Sequence, residues 1–210
     1  MAIIDEGILG GFRGRIGTVV GVSNNGKFYM RSLPRKRKNA GPDEAGNRDK
    51  FKLVINHLAP LKALVKAGFK GHYTKTGGYR AALSYNRKHA IAGNDTGFYI
   101  APELFRFSGG VLPGAMAPAA SVLDDVLEIT WDISGADGNS RSDQLMVLAY
   151  DALNSLTLTR IFDGAFRSAG SYSIPIPGQM KGGDADVYIA FVAADRSAQS
   201  DSQYLGRFLL

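Results

Sequence analysis

Near residue 98 the hydrophobic repeat of this chain changes period, and that change limits what it can fold into. Before it, apolar residues recur at helical spacing. Phe51, Val54, Ile55, Leu58, Leu61 and Val65 fall on one face of a helix. Pro42 suits the first helical turn, Asp43 and Glu44 suit its positive end, and Pro60 inside the pattern predicts a kink or a split. Gly68 and Gly71 end the segment. A second helix is expected over 78–92, with Gly93-Asn94 as its cap. After residue 98 the period is two. Short strands are expected at 98–100 and 104–107, then a loop at 113–118. Six further strands are expected at 126–133, 144–150, 156–162, 172–176, 186–193 and 202–209, with Gly-, Asp-, Asn- and Pro-rich turns between them. Pro175 confines its strand to an edge, because proline has no N–H to give a second neighbour. In 126–133, Leu127, Ile129 and Trp131 alternate with Glu128 and Thr130, so one face is buried. Short strands at this regular spacing predict a β-sandwich.

The N-terminal stretch obeys a third rule. Residues 10–34, GGFRGRIGTVVGVSNNGKFYMRSLP, read as a hairpin with strands at 16–22 and 27–33 joined by Ser23-Asn24-Asn25-Gly26. Asn and Gly tolerate the positive φ of a tight reversal. A basic run, Arg35-Lys36-Arg37-Lys38, leaves the second strand directly. The glycines before the hairpin do not make a phosphate loop: no βα unit precedes them, no Gly-Lys-Ser/Thr follows, and Gly17 is expected in a strand.

Charge divides the chain. Residues 1–100 hold 18 Lys and Arg against 6 Asp and Glu, whereas residues 101–210 hold 7 against 13. A basic first half and an acidic second half suit two units with different partners, or copies that pack head to tail. The chain has no cysteine, which removes disulfides and thiolate chemistry. The N-terminus has no basic segment leading into an apolar one, and no run approaches 18 apolar residues. The expectation is a cytoplasmic protein without a membrane span.

Catalytic patterns are missing. His57, His72 and His89 have no second ligand at metal-binding spacing, so no metal or other cofactor is expected. Asp124-Asp125 and the pair Asp184 and Asp186 sit where turn carboxylates are common, and calcium needs more oxygens than either pair supplies. No Gly-x-Ser-x-Gly elbow occurs. The sharpest polar feature is basic. Arg13, Arg15 and Arg31 in the hairpin, with Arg35, Lys36, Arg37 and Lys38 beyond it, are the candidate partner-binding residues. Tyr73, Tyr79 and Tyr85 lie among Lys70, Lys75, Arg80 and Arg87. They serve either as stacking platforms for single strands or as helix-packing residues.

Three resemblances follow from these residues. The string LEITWDISGADG resembles the second strand of fibronectin type III modules, where an inward Trp anchors the core, and Tyr188 in VYIAFVAAD falls where such sandwiches keep a core-facing Tyr. Over nearly its whole length the chain resembles an uncharacterised protein family of Bacteroidota, through GILGGFRGRIGTVVGVSNNGKFYMRSLPRKRKN, NRDKFKLVINHLAPLKAL, AALSYNRKHAI and VYIAFVAADRSAQSDSQYLG. The first 60 residues resemble, more loosely, an N-terminal module of phage and prophage virion-associated proteins. There a G-x-x-G-x-V hairpin precedes a basic segment and a helix with Arg and Phe three apart, as Arg48 and Phe51 are here. The usual polar linker of that module is replaced by NAGPDEAG.

The expected fold is α+β: an N-terminal β-hairpin with two to three helices, followed by a C-terminal immunoglobulin/fibronectin-III-like β-sandwich. The expected domains are 1–97 and 98–210, with the core sandwich at 121–210. The expected role is a non-enzymatic structural or assembly protein, forming a homo-oligomer or a larger assembly, as in a virion. It would dock through the hairpin and basic arm. The alternative is a nucleic-acid-binding accessory protein that uses the basic half.

Overall fold

The computed structural model describes residues 3–4, 10–24, 26–34, 41–71, 77–94, 97–134 and 138–210. The chain divides into two compact units, Met1–Pro42 and Asp43–Leu210. The boundary expected at residue 97 therefore falls inside the second unit, where the helices and the sandwich share a core.

The first unit is an antiparallel sheet of β1 (Ile3–Ile4), β2 (Phe12–Ile16), β3 (Val19–Asn24) and β4 (Lys27–Ser32), in that spatial order. The expected first strand at 16–22 is cut in two. Gly17 adopts φ +58° in a two-residue turn that pairs Ile16 with Val19. A hairpin thus becomes a meander. The second reversal lies where Asn-Gly predicts it, with Asn24 paired to Lys27 and Gly26 at φ +77°. Glycine has a steric role at residue 21. A Cβ there would lie 2.3 Å from the Phe12 carbonyl oxygen and 2.5 Å from its ring, so the ring covers bare backbone.

The second unit is α+β and has three layers. α1 (Pro42–Leu58) and α2 (Lys62–Gly68) are separated at Pro60, as its missing N–H requires. α3 (Gly78–His89) ends before the expected cap. Gly93, at φ +107°, instead helps turn a small hairpin of β5 (Ile91–Asn94) and β6 (Gly97–Ile100). The sandwich follows: β7 (Met116–Leu123), β8 (Val126–Asp132), β9 (Gln144–Asp151), β10 (Leu156–Arg160), β11 (Ser171–Pro175), β12 (Asp184–Val192) and β13 (Gln203–Leu209). One sheet has the order β11-β8-β7, with the Pro175 strand at its edge, and the other has the order β10-β9-β12-β13.

Strands β9 and β12 are buried on both faces. Their inner residues, Leu145, Val147, Ala149, Val187, Ile189 and Phe191, meet Leu127, Ile129 and Trp131 of the facing sheet. Their outer residues, Met146, Leu148, Tyr150, Tyr188, Ala190 and Val192, meet Val54, Leu58, Leu61 and Val65 of the helices. Trp131 is core-facing as expected. Tyr188 is buried too, but on the helical side of its sheet.

Two segments differ from their sequence reading. β7 begins inside the loop expected at 113–118, because Pro118 and small alanines hide its alternation. Residues 104–107, read as a strand, form none. A 3₁₀ turn at Pro102–Leu104 leads into an extended stretch whose backbone is satisfied by a side chain. The Asn86 amide donates to the Arg106 carbonyl (2.7 Å), and the Arg106 N–H donates back to Asn86 Oδ1 (2.9 Å). Phe105 and Phe107 are thereby fixed in the helical core.

Among the described residues one ion pair is buried on both sides. The Arg167 guanidinium donates to the carbonyls of Gly114 (2.8 Å) and Pro113 (2.7 Å), lies 3.2 Å from Asp143 Oδ2, and covers the Phe191 ring at 3.8 Å. The Trp131 indole N–H donates to the Arg167 carbonyl (2.7 Å).

Candidate functional site

Two surfaces carry the features a partner or ligand would use, one in each unit. In the first unit, cross-strand register sorts the side chains of the sheet into two faces. Arg15, Val20 and Arg31 form one row across β2, β3 and β4. The two cations stand about 10 Å apart, two strand spacings, on either side of Val20. Lys27 and Tyr29 share that face of β4 by alternation. The next row, Gly14, Gly21 and Met30, lies on the opposite face with Phe28 and Ser32, and its two glycines leave Met30 standing alone at 70% exposure. One face gathers Arg15, Arg31 and Lys27, and the other is mainly apolar, with the Arg13 guanidinium against its Phe28 ring.

Of the candidate residues, Arg13 and Arg15 lie on β2 and Arg31 on β4. The Arg13 guanidinium sits 5.8 Å from the Phe28 ring centre, and Arg15 Nε donates to the Gly17 carbonyl (3.0 Å). Arg35, Lys36, Arg37 and Lys38 lie outside the described residues. Tyr79 and Tyr85 pack against the helical core, with the Arg106 guanidinium 5.0 Å from the Tyr85 ring centre. They are helix-packing residues; Tyr73 lies outside the described residues.

In the second unit a cleft of about 440 Å³ opens between α1, β6, the end of β9 and the β12–β13 pair. Its floor is a polar cluster around Asp186. The carboxylate accepts from Tyr204 Oη (2.9 Å), Arg207 Nε (3.0 Å) and Arg207 Nη2 (2.9 Å). A β-bulge makes this possible. Tyr188 pairs with Tyr204 and Val187 with Gly206, so one extra residue is inserted in β13. Residues three apart on a regular strand point to opposite faces; the insertion turns Tyr204 and Arg207 to the same face as Asp186. Gly206, at φ +125°, absorbs the distortion. Burial, with the Asp186 charge adding to it, pushes the Tyr204 phenol up to about 12. Both Asp186 oxygens are thus engaged by Tyr204 and Arg207. Among the described residues no group of three metal-ligating side chains is assembled.

His57 forms the other wall. Its ring stands edge-on to Phe105 and Tyr150, with centroids 4.7 Å from each. Its buried Nε2 has no hydrogen-bond partner. Burial lowers its pKa from 6.5 to about 4, against the pull of the Asp186 charge in the other direction. With its titration moved that low, the ring is neutral near pH 7. His89 stacks on Tyr85 at 4.7 Å, and His72 lies outside the described residues.

Sequence reasoning named the basic sheet residues but missed the Asp186 cluster. The signal was a glycine, Gly206, inside a strand pattern. No helix among the described residues is long and apolar enough to cross a membrane. No curated protein and no solved structure matches the chain. The model of one family covers residues 11–206, from the sheet to the last strand, and the chain belongs to that family, the family of unknown function DUF6266.

Proposed function

We propose that this chain is a non-enzymatic assembly protein that docks onto further copies of itself through its N-terminal sheet and the basic residues 35–38. One observation carries the reading. The sheet is a compact unit of its own, yet Ile3, Ile16, Phe28, Tyr29 and Met30 are 41–70% exposed. Bodies of about 40 residues rarely hold without a staple or a partner, and an open edge beside apolar side chains is a pairing surface. The engaged state of Asp186 and the neutral, packed His57 support a role without catalysis. The likeness of the first 60 residues to virion-associated modules, and of the chain to proteins of Bacteroidota, supports a particle assembled in a bacterial cytoplasm.

Sedimentation over a concentration series tests this. The wild-type chain is expected to associate as concentration rises. Gly21→Val, whose side chain must displace Phe12, is expected to stay monomeric while Trp131 fluorescence and its thermal transition stay unchanged. A wild-type chain that remains monomeric throughout refutes the reading.

The second reading, nucleic-acid contact, draws on the basic row. Arg15 and Arg31 flank Val20 on the face that bears Lys27 and Tyr29, an arrangement of cations around an aromatic. It predicts salt-sensitive binding of a single-stranded oligonucleotide that is lost on Arg15→Ala/Arg31→Ala in a chain that still associates.

A further inference from the structure

We infer that two copies of this chain pair antiparallel along β4, with Met30 opposite Met30 of the second copy on the two-fold axis. This inference rests on the proposed assembly role and specifies its contact. Among the described residues β4 is the last strand of its sheet, so one row of its backbone groups has no strand beside it there.

The hydrogen-bond pattern identifies that row. Asn24 and Lys27 close a two-residue turn, and Leu33 N–H donates to the Thr18 carbonyl (2.9 Å). Odd-numbered residues of β4 therefore direct their backbone groups at β3. Phe28, Met30 and Ser32 direct theirs outward. In an antiparallel pair, residues directly opposite each other share hydrogen-bonding status, so an outward residue must face an outward residue.

Only registers that satisfy this rule are available, and two of them keep most of the strand paired. Centring the axis on Tyr29 places Lys27 opposite Arg31 of the second copy, on both sides of the axis. Like charges directly opposed oppose pairing. Centring the axis on Met30 places Phe28 opposite Ser32, Tyr29 opposite Arg31 and Lys27 opposite Leu33. No like charges then face each other, each Arg31 guanidinium gains a Tyr29 ring, and the most exposed apolar residue of the strand is covered by its own copy. An isologous contact of this kind closes at two copies.

The absence of cysteine from the sequence provides a clean test. Directly opposed residues in the outward row have Cα atoms about 5.5 Å apart, within disulfide range. Under mild oxidation Met30→Cys is expected to form a covalent dimer about tenfold faster than Tyr29→Cys, whose copies lie off the axis. A tagged Tyr29→Cys chain mixed with an untagged Arg31→Cys chain is expected to form the mixed dimer. Preferential self-linking of Tyr29→Cys overturns the register. Failure of all three to cross-link, in a wild-type chain that sediments as an oligomer, overturns the β4 pairing and leaves the assembly role standing. A monomeric wild-type chain overturns both.

Discussion

His57 provides a quantitative check on the helical layer of the second unit. In the unfolded chain it titrates near 6.5, and in the fold near 4, because burial between Phe105 and Tyr150 disfavours the cation. Between those values the unfolded chain binds a proton that the folded chain does not. The stability contributed by the neutral histidine is thus complete above about pH 6.5 and falls as pH drops toward 4. At pH 4.5 the two titrations place the loss, relative to pH 7.5, at about 2–3 kcal/mol. His57→Phe keeps a ring of similar size in an aromatic pocket and removes the titration. The assay is urea unfolding at both pH values, followed by fluorescence of Trp131, the only tryptophan, which lies in the second unit. The wild-type chain is expected to lose about 2–3 kcal/mol more than His57→Phe on acidification. Equal losses in the two chains would refute the placement of His57 as a neutral core residue.

Two further outcomes follow from the sandwich. Arg167→Met leaves the Asp143 carboxylate buried without its partner and strips donors from the Pro113 and Gly114 carbonyls, at a cost of about 3–5 kcal/mol. The double change Arg167→Met/Asp143→Leu is expected to cost less than the single one, read from the same unfolding curves. The β7–β8 reversal uses Asp124 and Asp125 at φ +49° and +62°, so Asp125→Gly relieves a left-handed residue and is expected to raise stability by about 0.5–1 kcal/mol. A measured decrease would show that the exposed Lys181–Asp125 contact outweighs the backbone term.

Local chemistry made much of this fold legible. Pro60 divided the helices, Asn-Gly marked a reversal, Pro175 marked an edge, and Leu127, Ile129 and Trp131 marked an inward face. The errors arose where long-range packing overrode local signals. Gly17 has nothing beside it that distinguishes a strand glycine from a turn glycine, so a meander read as a hairpin. Phe105 and Phe107 alternate like strand residues, yet an amide from Asn86, twenty residues earlier, holds their backbone. The basic face could be read from Arg15 and Arg31 because they lie on the two short strands that flank β3, close together in the sequence. The Asp186 cluster could not, since Tyr204 and Arg207 share a face only because of a one-residue bulge.

The double burial of β9 and β12 also bears on how this sandwich can be handled and inherited. A fibronectin-like sheet that wets its outer side is a portable module, able to move between genes or be cut out intact. Here that outer side is Met146, Leu148, Tyr150, Tyr188, Ala190 and Val192, and apart from Phe105 and Phe107 it is the helices that cover it. A fragment starting at residue 98 would present them as a bare apolar slab and come out of solution. The helices and the sandwich can therefore be exchanged or lost only together.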